Sequence, residues 1–305
     1  MFNSALLDSA NAHVASSGNA IADTARALAA DSSTAGASDV SNGSWIIDHV
    51  TDSHVIEFQP FGEIHLPQFP PVHIGGLVID FSLTKHIVMI WFAMLLLLIF
   101  VRAAMRSYRK NALVPRGLAN AVEVIVVFVR DDIVAGAIGE EGKKLLPYFL
   151  TLFFFVLFSN LVGLIPYTST PTGNINVTAS LAIIAFFVIQ ISGIVNHGLI
   201  GYLKGLVPPH IPLFVIPVMI VVELLGLFTK PFALCVRLFA NMSAGHIVIF
   251  ALIGLIFIFH SIFVAPISIA FAVFIDLLEI LIGIIQAYIF TMLTALFVGL
   301  AIHQH

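Results

Sequence analysis

ELLGLFTKPFALCVRLFANMSAGH, residues 223–246, lies inside an almost wholly apolar run, yet it carries Glu223, Lys230 and Arg237 at successive intervals of seven. At about 100° per residue, seven residues return to nearly the same face of a helix. One apolar helix thus lines up three ionisable groups along one side. An arginine at membrane depth carries a heavy desolvation penalty, so it calls for a partner or for water. A basic residue at a helix end escapes by snorkelling to the interface. Lys230, next to Pro231, has that option. Arg237 does not, because no Lys, Arg, Asp or Glu occurs in residues 238–275.

The rest of the chain places this stretch in a membrane. Of 305 residues, 59% are hydrophobic and only 10% are charged, against about 25% charged in soluble domains. The expected fold is an all-α polytopic membrane protein with five crossing helices and one amphipathic surface helix. Residues 1–85 hold nine acids and two basic residues, whereas residues 102–144 hold eight of the thirteen Lys and Arg. By the positive-inside rule the basic loop is cytoplasmic, so the N-terminus is outside and the C-terminus inside. The single cysteine, Cys235, excludes an internal disulfide and reads as ordinary packing.

Residues 1–80 read as an outward-facing extension. Residues 1–45 are rich in Ala, Ser, Asn and Gly, and are expected to form a mobile tail with no signal-peptide core and no transit peptide. Residues 46–80, with HLPQFPPVHIGG, suggest short extended segments on the membrane surface. Residues 81–305 form the membrane domain. Crossing helices are expected at about 86–104, 146–166, 177–200, 213–259 and 267–302, with the surface helix at about 118–134. The polar turn YTSTPTGNIN separates the second from the third. Roughly 20 residues cross a bilayer, so the last two segments are far too long to stand upright. They must tilt steeply or bend, with Pro231 and Gly245 as candidate points, and as a tilted hairpin they would suit a cylindrical partner. No inverted repeat is evident.

The last segment repeats the pattern of sparse polar residues. Asp276, Glu279, Gln286 and Thr294 follow one another at three, seven and eight residues, which places them on one broad helical face. One reading is an interhelical hydrogen-bond ladder. The other, which we favour, is a wet and titratable path. His246 lies nine residues after Arg237, on the opposite side of an ideal helix. A histidine beside a glutamate at membrane depth exchanges protons near neutral pH, and His246 with Glu279 is the candidate pair. Asn241 shares the face of Arg237. An arginine does not titrate usefully, so Arg237 suits a fixed charge that keeps a carboxylate ionised. No metal spacing, phosphate loop or nucleophile arrangement stands out, so no catalytic residue, metal or cofactor is expected.

These residues carry a resemblance. VRLFANMSAGH (residues 236–246) is similar to the signature of the a subunits of rotary F-type ATP synthases, and the likeness extends over about residues 75–302. It takes in NINVT (174–178), with Asn174 and Asn176, the KP of Lys230 and Pro231, and LLEILIGIIQAYIFTMLT (277–294). The resemblance implies that Arg237 is the essential arginine, that Asn241 and Gln286 are its polar companions, and that Glu223 belongs to the cytoplasmic access path. Lys230, Asn174 and Asn176 would have supporting roles. In familiar bacterial members the positions of His246 and Glu279 hold Glu and His, so the pair is exchanged here. A small hydroxyl residue of some members is Ala233 here.

The implied function is ion translocation without catalysis. Two aqueous half-channels would pass protons to and from the carboxylates of a c-subunit ring, coupling an ion gradient to rotation and ATP synthesis. The implied partners are that ring, b-type peripheral stalk subunits, the rest of the synthase and membrane lipid, with no nucleic acid. The implied location is the bacterial inner membrane. A stand-alone proton-coupled transporter is the first rival, and it would need its own acid opposite Arg237, such as Asp276. A purely structural membrane subunit is the second.

Overall fold

The structure, a computed structural model, describes residues 53, 55–58, 62–68, 72–74, 77–79, 82–110, 117–165, 168–205, 214–259 and 263–303. The tail expected over residues 1–45 lies outside the described residues. The all-α membrane architecture holds: among the described residues, five helices are long and apolar enough to cross a membrane. They are α1 (Lys85–Lys110), α3 (Leu146–Gly163), α4 (Ile175–Gly205), α5 (Ile216–Phe259) and α6 (Ala265–Ile302). Between α1 and α3 runs α2 (Leu118–Phe128), which continues through a π-helical turn (Val129–Ala135) into Gly136–Ile138.

Ahead of α1 in the sequence, the described residues include two short antiparallel strand pairs. β1 (Val55–Phe58) pairs with β2 (Gly62–His65), Val55 opposite His65, and β3 (Val72–Ile74) pairs with β4 (Leu77–Ile79), Val72 opposite Ile79. The extended segments read from the sequence are therefore paired strands. Pairing satisfies half of the backbone groups that a lone extended segment would leave to water.

α5 has 44 residues and α6 has 38. At 1.5 Å per residue they are about 66 and 57 Å long, against a hydrocarbon core of about 30 Å. Neither fits upright. α5 runs on through Pro231, where the missing N–H leaves one carbonyl a turn earlier without its helical donor. α4 breaks at Gly198, with φ 70° and ψ 163°, a conformation that suits glycine because it lacks a Cβ. The break folds Tyr202 back over Gly193, where its hydroxyl donates to Gln190 Oε1 at 2.7 Å.

α3 sits at the centre of the helical core, packed on α1 and α6, while α6 also packs on α4 and α5. Phe149, Val156, Leu238, Met242, Phe290 and Val298 are fully enclosed there. Outward-facing Leu, Ile and Phe side chains cover the remaining helix faces, as an apolar solvent requires. The π-helical turn buries Val129, Ile133 and Val134 and turns Arg130, Asp131 and Asp132 outward. Arg130 donates to both carboxylate oxygens of Asp131, at 2.7 and 2.9 Å, and these bonds hold the Asp131 carboxyl below its ordinary range. Two histidines fasten the C-terminal end of α6: His303 Nε2 donates to the Ile138 carbonyl at 2.9 Å, and His197 Nε2 to the Ile302 carbonyl at 2.7 Å.

Candidate functional site

Arg237 is exposed on α5, while Leu234 and Leu238 beside it are buried. The helical period explains this split: residues 233, 237, 240, 241 and 244 share one face, and all five are exposed. Apart from Arg237 that face carries only alanine and Asn241, so the guanidinium stands above a low surface. Among the described residues no hydrogen bond or ion pair engages Arg237. A permanent charge in an apolar helix, without a partner among the described residues, asks for one from elsewhere.

One turn on, α5 meets α6. Asn241 Nδ2 donates to Gln286 Oε1 at 3.0 Å, with Gln286 only 2% exposed. These two residues, singled out separately in the sequence, form one bridge between the long helices. Lys230 turns onto α6 as well, with its Nζ 5.4 Å from the centre of the Phe297 ring, a cation–π placement that keeps an ammonium in apolar surroundings. Glu223 is half-buried on the same helix.

Five residues beyond Asn241, His246 and Glu279 come together. Nδ1 of His246 is 3.0 Å from Oε1 of Glu279, and Glu279 is 2% exposed. The approach has ion-pair distance but not hydrogen-bond alignment, and among the described residues neither Glu279 oxygen makes another hydrogen bond. A carboxylate held so dry is expensive to keep charged unless its partner is charged too. Gly245 makes the contact possible. A Cβ at that position would stand 2.8 Å from Cδ of Glu279 and 2.9 and 3.1 Å from its oxygens.

The turn between α3 and α4 completes the enclosure, and sequence reasoning did not put it there. Thr170 Oγ1 hydrogen-bonds Nε2 of His246. Thr172 Oγ1 donates to Asn160 Oδ1 at 2.6 Å, and Asn160 Nδ2 donates to the Gly283 carbonyl at 3.0 Å. Ser243 Oγ donates to the Gly173 carbonyl at 3.3 Å. The available signal was the pair of small or polar residues inside α3, Asn160 and Gly163, opposite a threonine-rich turn.

The remaining candidates separate. Asp276 is half-buried one turn before Glu279 and makes no hydrogen bond or ion pair among the described residues. Thr294 bonds back to the Phe290 carbonyl at 2.8 Å within its own helix. The polar face of α6 therefore divides into a His246 contact, an Asn241 contact and a self-satisfied hydroxyl. Asn174 caps α4, its Oδ1 accepting from the Asn176 N–H at 2.9 Å, and Asn176 is exposed. Both serve the helix start rather than the pair.

Arg237 thus stands on an outer face of α5, while His246, nine residues further along the same helix, joins Glu279 of α6 in an enclosed pair. Comparison with known proteins gives a consistent picture. The family model described as ATP synthase A chain matches residues 87–299. The chain is 52% identical over 258 residues to the ATP synthase subunit a of Chloroherpeton thalassium, covering 84% of this chain and 76% of that one. It is 50% identical over 271 residues to the ATP synthase subunit a 2 of Chlorobium luteolum, covering 88% and 78%. It is 49% identical over 248 residues to the ATP synthase subunit a of Myxococcus xanthus, covering 79% and 80%.

Proposed function

The chain belongs to the ATP synthase A chain family, and on that premise we propose that it is the non-catalytic, proton-translocating subunit of an F-type synthase, working against a ring of c subunits. It is a multi-pass protein of the inner membrane, part of the ATP synthase complex. The finer reading rests on one observation above all: Arg237 is exposed, central in an apolar helix, and unpaired within the described residues. A stand-alone transporter would hold an acid against that arginine from its own chain.

In this reading each ring subunit presents a carboxylate at mid-membrane, and Arg237 is its transient partner. The guanidinium charge favours the ionised form of an arriving carboxyl, so the proton leaves there. The same charge repels cations and blocks a direct leak between the two half-channels. The alanines around Arg237 let a ring helix approach closely. His246 and Glu279, enclosed on the other side of α5, exchange protons on the outer path, and Glu223 serves the inner one. Each proton crossing gains about 2.3 kcal/mol per 100 mV, and that energy turns the ring. The b-type stalk subunits hold this chain still while the ring moves. Residues 1–80 face outward and the basic loop inward.

Cysteine cross-linking tests the ring contact. A cysteine at Ala240, on the Arg237 face, should form a disulfide with cysteines placed beside the carboxylate of a small hairpin proteolipid. If Ala240→Cys reacts with small lipid-soluble maleimides and yet never cross-links to the proteolipid, that face does not meet the ring.

A further inference from the structure

Thr170 stands in the turn between α3 and α4, 1% exposed, with its Oγ1 hydrogen-bonded to Nε2 of His246. Its side chain occupies the space beside Gly163, where any Cβ on residue 163 would collide with it. Its carbonyl accepts from the Gly173 N–H at 2.9 Å, which ties the residue to the 3₁₀ turn Pro171–Gly173. The imidazole of His246 is therefore held at both nitrogens, Nδ1 toward Glu279 and Nε2 toward Thr170.

A hydroxyl is both donor and acceptor. When His246 is neutral with its proton on Nδ1, the Thr170 O–H donates to Nε2. When His246 is an imidazolium, its Nε2–H donates to the same oxygen. One side chain thus serves both protonation states with no displacement of heavy atoms. A methyl group in its place serves neither, and the charged state loses more, because hydrogen bonds from charged donors are the stronger ones.

From this geometry we propose that Thr170 is a positioning residue for proton exchange at His246: it fixes the ring with Nδ1 on Glu279 and supplies the acceptor that the imidazolium needs. The proposal rests on reading His246 and Glu279 as a proton relay. The ionisable groups on the surrounding elements are few. α6 brings Glu279 and, one turn earlier, Asp276. α1, which packs against the Pro171–Gly173 turn, begins with the buried Lys85 and His86. The titratable residues of α3 and α4 (Tyr148, His197, Tyr202 and Lys204) lie at the far ends of those helices. Arg237 is exposed nine residues away along α5.

The test compares assembled synthase complexes in inverted membrane vesicles, reading ATP-driven proton pumping across the histidine pH range. Thr170→Ser retains the hydroxyl and should keep the wild-type rate and pH profile. Thr170→Val should slow pumping and move the alkaline limb of the profile about one pH unit to acid, the worth of one hydrogen bond to a charged group. Thr170→Ala removes the hydroxyl without adding bulk and should give the same shift even where valine impairs assembly. A Val or Ala complex whose profile superimposes on the wild type, at whatever rate, overturns the role of Thr170. His246→Ala in the same vesicles separates the two levels. Normal pumping there sinks the relay itself. Lost pumping there, with an unshifted Thr170→Val profile, sinks only the proposal for Thr170.

Discussion

Nδ1 of His246 on α5 stands 3.0 Å from Oε1 of Glu279 on α6, and the carboxylate sits against the bare Cα of Gly245. The pair is enclosed, with Glu279 2% exposed, while Arg237 two and a half turns earlier is open to the outside of the bundle. In the proposed function these two features divide the work of a proton path: the enclosed pair between α5 and α6 would hold and pass protons, and the open charge on α5 would meet a moving partner.

The open charge comes first. Arg237→Ala should abolish ATP-driven proton pumping, by about a hundredfold or more as for other preorganised charge contacts, with the complex still assembled. Arg237→Lys should also fail largely, because an ammonium is a point charge without the planar fork. Vesicles carrying Arg237→Ala that pump normally would remove the arginine from the mechanism.

His246→Ala and Glu279→Ala should each slow pumping strongly without loss of assembly. The exchange of His246→Glu with Glu279→His should keep substantially more activity than His246→Glu alone, which leaves two acids in one dry site and one of them protonated. A double-mutant cycle on pumping should give a coupling above about 0.5 kcal/mol, as expected for residues in contact. Strict additivity would mean that the two residues act independently.

Gly245→Ala places a methyl group 2.8 Å from the Glu279 carboxyl carbon. Alanine favours a helix interior over glycine by about 1 kcal/mol, so the helix and the complex should form. Pumping should nonetheless fall, since the carboxylate must withdraw from His246. Glu279→Asp, one methylene shorter, should partly rescue Gly245→Ala. Full activity in Gly245→Ala alone would show that the close seat of Glu279 is dispensable.

The charge asymmetry predicts an orientation that labelling can check. In a background lacking Cys235, Ser17→Cys should react with an impermeant maleimide from outside intact cells, and Ser107→Cys only after access to the inner face. Labelling in the opposite order would invert the topology.

Much of the helical layout was legible in the sequence. Residues 145–203 hold no Lys, Arg, Asp or Glu, and such a run has few stable forms other than a membrane helix. The two overlong segments appear as single helices of 44 and 38 residues. Arg237, His246 and Glu279 stood out for the same reason, since an ionisable group in an apolar run is too expensive to be incidental. Less was legible where several local forms compete. The π-helical turn Val129–Ala135 and the break at Gly198 leave no periodic trace distinct from an ordinary helix.

The sequence by itself determined that this chain is a set of long apolar helices with a few polar residues on two of them. Only the tertiary structure decided which of those residues meet. Asp276, Glu279, Gln286 and Thr294 look like one stripe on a helical wheel, yet Glu279 goes to His246, Gln286 to Asn241, and Thr294 back to its own helix. Thr170 and Thr172 look like any polar turn, yet they close over His246 and Asn160. The physical reason is range. The penalty for a charge in hydrocarbon belongs to each residue alone and is readable one position at a time, whereas a contact between residues 76 or 123 positions apart depends on how helices seat against one another. That seating is set by glycines such as Gly163 and Gly245, whose value lies in what their neighbours place in the space they leave.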